Sequence, residues 1–430
     1  MLEIAIFVLF VTFTSALIQD KFKIPASITI ITVGMVTKIL GFGGVITDDK
    51  MFDQILLLLL PTLLLMDILH LKLKDLKTHA FSLLYVAGIS AVLTLGAGIL
   101  MNSLLLPEYN ISIPAIIMLF CMVSATDPVA VSAVFNNYKV PHDLKVIAEG
   151  ESLFNDATYL VAFQISSMAL IASMSGGTEL SSVEFTLKGG SIILFSLLIG
   201  LIFGFIGLLL LKLTTNERIE TSIILFIACA SFYSAEHFHY SGIISVITSI
   251  LIANHVITER IEKFEEQEDE LSYGKEKRKL FVSKFNQERI FANIQFAAMI
   301  SVTILFLSMG DIVNFNNIIK YWKEVLYVFA ASTVVRMVMM MKFGFLSNVT
   351  NKMQNISIHW YKILVFGGVK GGLSILMLHL MPKGFEHKEM FEAIVIGVIL
   401  LSTFIYPLML TLTMKLYQRK FEEDCKLDVN

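Results

Sequence analysis

Apolar stretches of membrane-spanning length follow one another along the whole chain, and this feature limits its fold more than any other. Of the 430 residues, 56% are hydrophobic and only 16% are charged, whereas a soluble domain carries about 25% charged residues. A helix needs roughly 20 apolar residues to cross the hydrocarbon core of a bilayer. The sequence therefore predicts an all-α polytopic membrane protein with about thirteen transmembrane segments. The predicted segments are 2–18, 26–46, 54–70, 79–106, 111–136, 145–173, 186–212, 219–238, 241–257, 290–309, 323–346, 360–381 and 389–416.

The connections between the segments are short except for 258–289, which is dense in charge. We expect this stretch to lie in water, with enough Glu-to-Lys spacing to form a surface helix. Basic residues concentrate on alternate connections, for example at Lys72, Lys74 and Lys77. Because cytoplasmic connections carry the excess of Lys and Arg, the N-terminus is expected outside and the C-terminus in the cytoplasm.

Two of the predicted segments are interrupted. The fifth contains "VSATDPVAVS", where Pro128 should end helical geometry at about Thr126–Asp127. The twelfth contains "FGGVKGGLS", where two glycine pairs flank Val369 and Lys370 and weaken the helix. Each interrupted segment is the fifth of a set of six, and the two sets cross the membrane in opposite senses. Two inverted six-helix repeats with unwound crossing helices are typical of secondary transporters with a site near the midplane.

The sixth segment carries Glu149, Glu151, Asn155 and Asp156 within eight positions. A carboxylate at bilayer depth costs about 2.5–3.5 kcal/mol on insertion scales, and such residues usually have a function. Helical spacing places Ser152 and Glu149 on the same stripe as Asp156, while Glu151 and Asn155 share the adjacent stripe.

If the break in the fifth segment faces this stripe, Asp127, the hydroxyl of Thr126 and backbone carbonyls join the cluster. Carboxylate, hydroxyl and carbonyl oxygens are hard ligands that suit Na⁺ or Li⁺. A carboxylate withdrawn from water resists ionisation, so it can hold either a proton or a cation. Alternating exposure of such a group to the two sides of a membrane would produce an antiporter.

The cluster also needs positive charge nearby. Arg336 is the arginine deep within an apolar segment, and Glu151 or Glu149 is its natural partner. Lys370 stands between the glycine pairs, where it could offset the half-helix C-termini at the second break.

The stretches "ATDPVAV", "EGESLFNDA" and "GGVKGG" resemble the monovalent cation:proton antiporter-1 family, in its NhaP and Na⁺/H⁺-exchanger branch. The resemblance implies a homodimer of two-domain protomers in the plasma membrane of a prokaryote, since only a short tail follows the last segment. It assigns 1–78 to the dimerisation scaffold (helices 1–3), 79–173 to core helices 4–6, 174–309 to a linker helix and scaffold helices 7–10, 310–417 to core helices 11–13, and 418–430 to a cytoplasmic tail.

Residue by residue, the resemblance makes Asp156 the carrier of ion and proton. Asn155 matches an asparagine that goes with electroneutral exchange in the family. Thr126, Asp127 and Ser152 match further ion-site positions, so Na⁺ is expected at Asp156, Asp127, Ser152 and Thr126.

The same matching pairs Glu151 with a later arginine, here Arg336. Lys370 stands where the family usually has arginine.

The function expected from the sequence is secondary-active Na⁺(Li⁺)/H⁺ antiport with electroneutral 1:1 exchange, serving pH homeostasis. Its expected partners are the cation, the proton and membrane lipid, with no enzyme activity, cofactor, nucleotide or nucleic acid. A K⁺/H⁺ antiporter on the same fold remains an alternative, because both cations are hard. A cation channel or a sensor that transports nothing is a more distant alternative.

Overall fold

The structure is a computed structural model that describes residues 2–22, 26–39, 49–105, 107–135, 137–174, 182–214, 216–266, 275–349 and 359–427. No β-strand occurs in these residues, and long helices dominate them. The prediction of an all-α protein is therefore confirmed. The α-helices of the described chain are, in order, α1 (Leu2–Phe22), α2 (Ala26–Ile39), α3 (Asp49–His70), α4 (Leu73–Thr78), α5 (Ala80–Leu83), α6 (Ser90–Leu105), α7 (Ile113–Ser124), α8 (Pro128–Phe135), α9 (His142–Met174), α10 (Ser182–Lys212), α11 (Glu217–His237), α12 (Gly242–Glu266), α13 (Lys275–Ile312), α14 (Phe315–Lys320), α15 (Trp322–Val349), α16 (Trp360–Phe366), α17 (Gly372–His379) and α18 (Lys388–Leu427).

The helices agree with the predicted membrane segments. Within the described residues, 9 helical stretches are long and apolar enough to cross a membrane, and shorter apolar helices cover Ala26–Thr37, Leu59–Leu69 and Ile113–Ser124. Each predicted segment coincides with one helix or with consecutive helices, although 40–46 of the second segment lies outside the described residues. The prediction of a multi-pass membrane protein is thus confirmed.

Both predicted interruptions are present. Helix α7 ends at Ser124 and α8 begins at Pro128, so the fifth segment is unwound at 125–127. Proline suits the first position of α8 because the N–H that it lacks would have no partner there. Helix α16 ends at Phe366 and α17 begins at Gly372, which leaves 367–371 non-helical. Proline and paired glycines therefore mark the breaks where the sequence predicted them.

The chain divides into two compact units, and the first contains both interrupted segments. This unit comprises 1–51, 78–189 and 302–430. Within it, α9 packs along α7, and α15 packs against α16 and α18. The largest fully buried side chains of this unit include Phe120 and Phe163. The residues on α9 and those at both breaks consequently belong to one body.

The second unit comprises 52–77 and 190–301. Its helices α11 and α12 pack together, joined by a short turn. The amide of Asn254 donates to the carbonyl oxygens of Leu69 and Leu71 at 3.2 and 3.0 Å. These bonds supply donors to backbone carbonyls at and just after the end of α3, where intrahelical donors run out.

Two expectations remain open. Helix α12 extends to Glu266 and α13 begins at Lys275, so helix enters the charged stretch 258–289 from both ends. Residues 267–274 lie outside the described chain, and the expectation that the stretch lies in water stays a prediction. The division into scaffold and core also stays a prediction, and α1 and α2 fall in the unit that holds both breaks.

Candidate functional site

The two unwound stretches meet through their backbones. The N–H of Asp127 donates to the carbonyl oxygen of Val369 at 2.7 Å. A Cβ atom at Gly371 would lie 2.4 Å from the Cβ of Asp127, closer than any side chain tolerates. Glycine at 371 is therefore required by the close approach of the two breaks.

A lysine from the second break reaches the end of the helix before the first break. The ammonium of Lys370 donates to the carbonyl oxygen of Ser124 at 3.3 Å, and its backbone N–H donates to Ser402 Oγ at 3.2 Å. Lys370 is only 3% exposed. A cation at a helix C-terminus offsets the partial negative charge of the last carbonyls. The expectation placed Lys370 against the helix ends at its own break, whereas its ammonium lies at the C-terminus of α7.

An arginine from α15 occupies the corresponding place at the second break. Arg336 donates from Nε and Nη2 to the carbonyl of Leu364 at 3.1 and 2.8 Å, and from Nε to that of Val365 at 3.2 Å. These carbonyls lie in the last turn of α16. The guanidinium also approaches Gly368, where a Cβ would lie 2.4 Å from Nε. Each half-helix that ends at a break thus has its C-terminal carbonyls bonded by a cation from another element.

The same guanidinium holds a carboxylate of α9. Arg336 donates from Nη1 to Glu151 Oε1 at 3.0 Å and from Nη2 to Oε2 at 2.8 Å. Both side chains are nearly inaccessible, at 11% and 3% exposure. Two parallel bonds between a guanidinium and a carboxylate fix orientation as well as distance. The structure therefore brings Arg336 to Glu151, the partner that the family resemblance favoured over Glu149.

Asp156 lies beside the first break. Its Oδ1 accepts a hydrogen bond from the backbone N–H of Thr126 at 3.2 Å. The hydroxyl oxygens of Thr126 and Ser152 are 2.9 Å apart, and Ser152 also donates to the carbonyl of Thr126 at 2.9 Å. All three residues are buried. A carboxylate, two hydroxyls and a carbonyl therefore lie around Thr126, and these are oxygen ligands of the kind that hard cations prefer.

The remaining predicted site residues flank this group. Asp127 is half-buried, and its backbone forms the link between the breaks. Asn155 donates from its amide nitrogen to Glu151 Oε1. Its buried amide oxygen has no hydrogen-bond partner among the described residues, so this acceptor could receive a proton donor or a cation.

Several participants were missed by sequence reasoning. Ser132 of α8 donates to Glu149 Oε1 at 3.0 Å, and Lys145 lies 3.8 Å from the same oxygen. The position of Lys145 four residues before Glu149 was a readable signal for that pair. Ser402 and the carbonyls of α16 gave no such sequence signal, because their partners come from remote parts of the chain.

Comparisons with known proteins show which family the chain is similar to. The family model described as "Sodium/hydrogen exchanger, transmembrane" matches residues 6–416. The Na(+)/H(+) antiporter ApNhaP of Aphanothece halophytica is 28% identical over 394 residues, covering 90% of this chain and 68% of that protein. The Na(+)/H(+) antiporter NhaH of Halobacillus aidingensis is 25% identical, covering 93% of this chain and 94% of its own.

A solved structure shares the fold. The sodium proton antiporter MjNhaP1 from Methanocaldococcus jannaschii, at pH 8, superposes with a TM-score of 0.67 and 16% sequence identity. The match covers 98% of each chain.

Proposed function

Because the chain belongs to the sodium/hydrogen exchanger family, we propose that it is a secondary-active antiporter that exchanges Na⁺, and also Li⁺, for protons. The observation that carries this proposal is the buried carboxylate of Asp156, held against the unwound backbone at Thr126. Unwound backbone within a membrane is tolerated where it lines a protein cavity, and there it supplies ligands that a helix would hide.

Exchange follows from competition for one group. When Asp156 is ionised, its carboxylate and the oxygens of Thr126 and Ser152 bind the cation, with Asp127 and Asn155 at the edge of the site. When a proton binds Asp156, the negative charge that held the cation is gone and the cation leaves. A protein that turns this site from one side of the membrane to the other moves one cation against one proton.

Fixed positive charges keep the two unwound breaks together during this cycle. We assign Lys370 to the C-terminus of α7 and Arg336 to that of α16, with Glu151 fixing the guanidinium. These charges stay in place when Asp156 changes its occupant, so they are structural and are not transported. The site needs no cofactor, since Na⁺ and H⁺ are its cargo.

Larger features of the proposal rest on the family resemblance. The core of 79–173 and 310–417 would move against the scaffold of 1–78 and 174–309, within a homodimer in a prokaryotic plasma membrane. The excess of basic residues on alternate connections favours an outside N-terminus and a cytoplasmic C-terminus.

The test is exchange by purified protein in proteoliposomes. An outward Na⁺ gradient should drive proton uptake by the wild type, and Asp156→Asn should reduce the rate to that of protein-free vesicles while the protein stays folded. The matched control is Glu184→Gln, which removes an exposed carboxylate and should leave the rate unchanged. Appreciable exchange by Asp156→Asn would overturn the assignment of Asp156.

The choice of cation is tested in the same vesicles. Na⁺ and Li⁺ should drive proton movement and K⁺ should not. Activity with K⁺ alone would make the protein a K⁺/H⁺ antiporter on the same site, and a current that does not saturate with cation concentration would favour a channel.

A further inference from the structure

The last helix carries a stripe of exposed apolar side chains. Leu408, Leu412 and Leu416 follow one another at intervals of four residues and are 69%, 50% and 72% exposed. Residues at this spacing share one face of a helix. In a membrane-spanning helix, such a face contacts lipid.

The same face becomes basic where the apolar residues end. Lys420 lies four residues after Leu416, Lys415 and Arg419 lie three residues after Leu412 and Leu416, and all three are exposed. From 415 to 420 the helix rises about 7.5 Å, close to the roughly 5–7 Å of a headgroup layer on one side of a bilayer. Beyond it the helix carries acidic residues at 422–424. The order apolar, basic, acidic along one helix matches the order hydrocarbon, anionic headgroup, water.

The basic residues surround a recess. Lys415, Leu416, Gln418, Arg419, Lys420 and Glu422 line an open depression of about 540 Å³. The depression is open, and its lining holds three cationic side chains against one carboxylate, that of Glu422, so its net charge suits an anionic headgroup. Its apolar edge at Leu416 lies on the side from which an acyl chain would enter.

Lys420 of the recess also contacts a clasp that joins α18 to α16. The ammonium of Lys362 donates to the Tyr417 hydroxyl at 2.7 Å, and Lys420 lies 5.7 Å from the centroid of the same ring. The indole N–H of Trp360 donates to Asp424 Oδ2 at 2.9 Å. Helix α16 leads directly from this clasp to the second break. A ligand at the recess would therefore also stabilise α16, whose C-terminal carbonyls Arg336 bonds.

We propose that the face formed by Lys415, Arg419 and Lys420, here called the basic face, binds the phosphate of an anionic phospholipid in the cytoplasmic leaflet. Anionic lipids give that leaflet a negative surface potential that attracts basic residues at the membrane surface. Each basic residue should raise affinity on the order of fivefold. The inference rests on the proposed C-terminus inside, and it does not depend on which cation the protein transports.

The test uses the full-length protein in detergent micelles, with phosphatidylglycerol, phosphatidylcholine or inorganic phosphate added. The chain has 2 tryptophans, so Trp322→Phe leaves Trp360 of the clasp as the reporter of binding and of thermal unfolding. Phosphatidylglycerol should change the Trp360 fluorescence saturably and raise the unfolding midpoint. Phosphatidylcholine and inorganic phosphate should do neither.

The decisive variant is Lys415→Gln with Arg419→Gln, two exposed changes that should leave folding intact. It should weaken the response to phosphatidylglycerol by about 25-fold. The matched control is Lys188→Gln with Lys383→Gln, which removes the same charge from other exposed positions and should respond like the wild type. An unchanged response of the first variant, an equal loss in the control, or a full response to inorganic phosphate would each overturn the proposal. Exchange activity is not the readout, so failure here and failure of the antiport proposal are distinguishable.

Discussion

At the scale of single residues, Arg336 connects two parts of the site through one guanidinium. It caps the carbonyls at the end of α16 and forms two bonds with Glu151 on α9. A buried ion pair gains little over an apolar replacement, but removal of one partner leaves an uncompensated charge in a medium of low dielectric constant. The pair therefore acts chiefly on the position of the helix end and of α9.

Arg336→Ala should destabilise the protein by about 3–5 kcal/mol, because Glu151 and the α16 carbonyls lose their donor together. The measurement is the thermal unfolding midpoint of the purified protein. An unchanged unfolding midpoint would show that the ion pair does not contribute to the stability of the protein.

A second substitution separates the two partners. Glu151→Gln in the Arg336→Ala background removes the orphaned charge, so it should recover part of the lost stability. The same substitution alone should be destabilising, since it leaves Arg336 without its carboxylate. Equal losses in both backgrounds would mean that the two side chains do not interact.

Side-chain periodicity predicted which residues of α9 lie together, but it could not identify backbone partners. Ser152 and Asp156 share a helical stripe, and the structure places both next to Thr126. The carbonyls of Ser124 and Leu364 are chemically like every other carbonyl in the chain. Only the tertiary packing of the two interrupted segments places these carbonyls at helix ends beside Lys370 and Arg336.

The break between α16 and α17 depends on glycine for its short distance from the other break. Gly371→Ala would place a methyl group 2.4 Å from the Asp127 Cβ. We expect a stability loss of about 1–3 kcal/mol from overpacking and a larger proportional loss of exchange, because the shift falls on the ion site. The control is Gly96→Ala, since a Cβ there meets nothing within 4 Å. Cation/proton exchange by Gly371→Ala at the wild-type rate would contradict the claim that the two breaks must approach closely at Gly371.

The clasp between α16 and α18 should weaken in acid. His359 stacks on Tyr417 with ring centroids 5.3 Å apart. Burial lowers the pKa of His359, the charges of Lys420 and Lys362 lower it further, and Asp424 opposes them. The folded clasp therefore favours neutral histidine, and its stability is complete above the unfolded pKa of about 6.5. It should be lost progressively as the pH falls below that value.

The measurement is amide hydrogen exchange of 360–366 between neutral and acidic pH. In the wild type, these amide hydrogens should exchange faster in acid, after correction for the intrinsic pH dependence of the amide exchange rate. His359→Phe keeps an aromatic ring on Tyr417 but cannot be protonated, so the acid-induced rise in amide hydrogen exchange should disappear. The same acid response in His359→Phe would exclude this histidine as its cause.

At the scale of the whole molecule, the sequence predicted the spans better than their grouping. Segment length and apolar content are local properties, and a bilayer imposes them on each helix separately. Which helices form a unit depends on packing between remote segments. For that reason, the presence of α1 and α2 in the unit with both breaks could not be derived from their own residues.

The transport cycle as a whole should be electroneutral. If Asp156 alone exchanges its occupant, one positive charge moves each way and the rate should not depend on the membrane potential. Proteoliposomes with the potential clamped by a K⁺ gradient and valinomycin provide the measurement, with internal pH as the readout. A rate that changes with an imposed potential would contradict 1:1 exchange.

Lys370 offers a second way to test the same prediction. Its ammonium is bonded to the Ser124 carbonyl, and we treat its charge as fixed. Arginine is effectively always protonated, so Lys370→Arg keeps that charge and removes any proton that the lysine could release. If both proteins exchange ions without regard to potential, Asp156 suffices as carrier. If the wild type responds to potential and Lys370→Arg does not, a lysine proton travels with the cycle and the single-carboxylate mechanism is wrong.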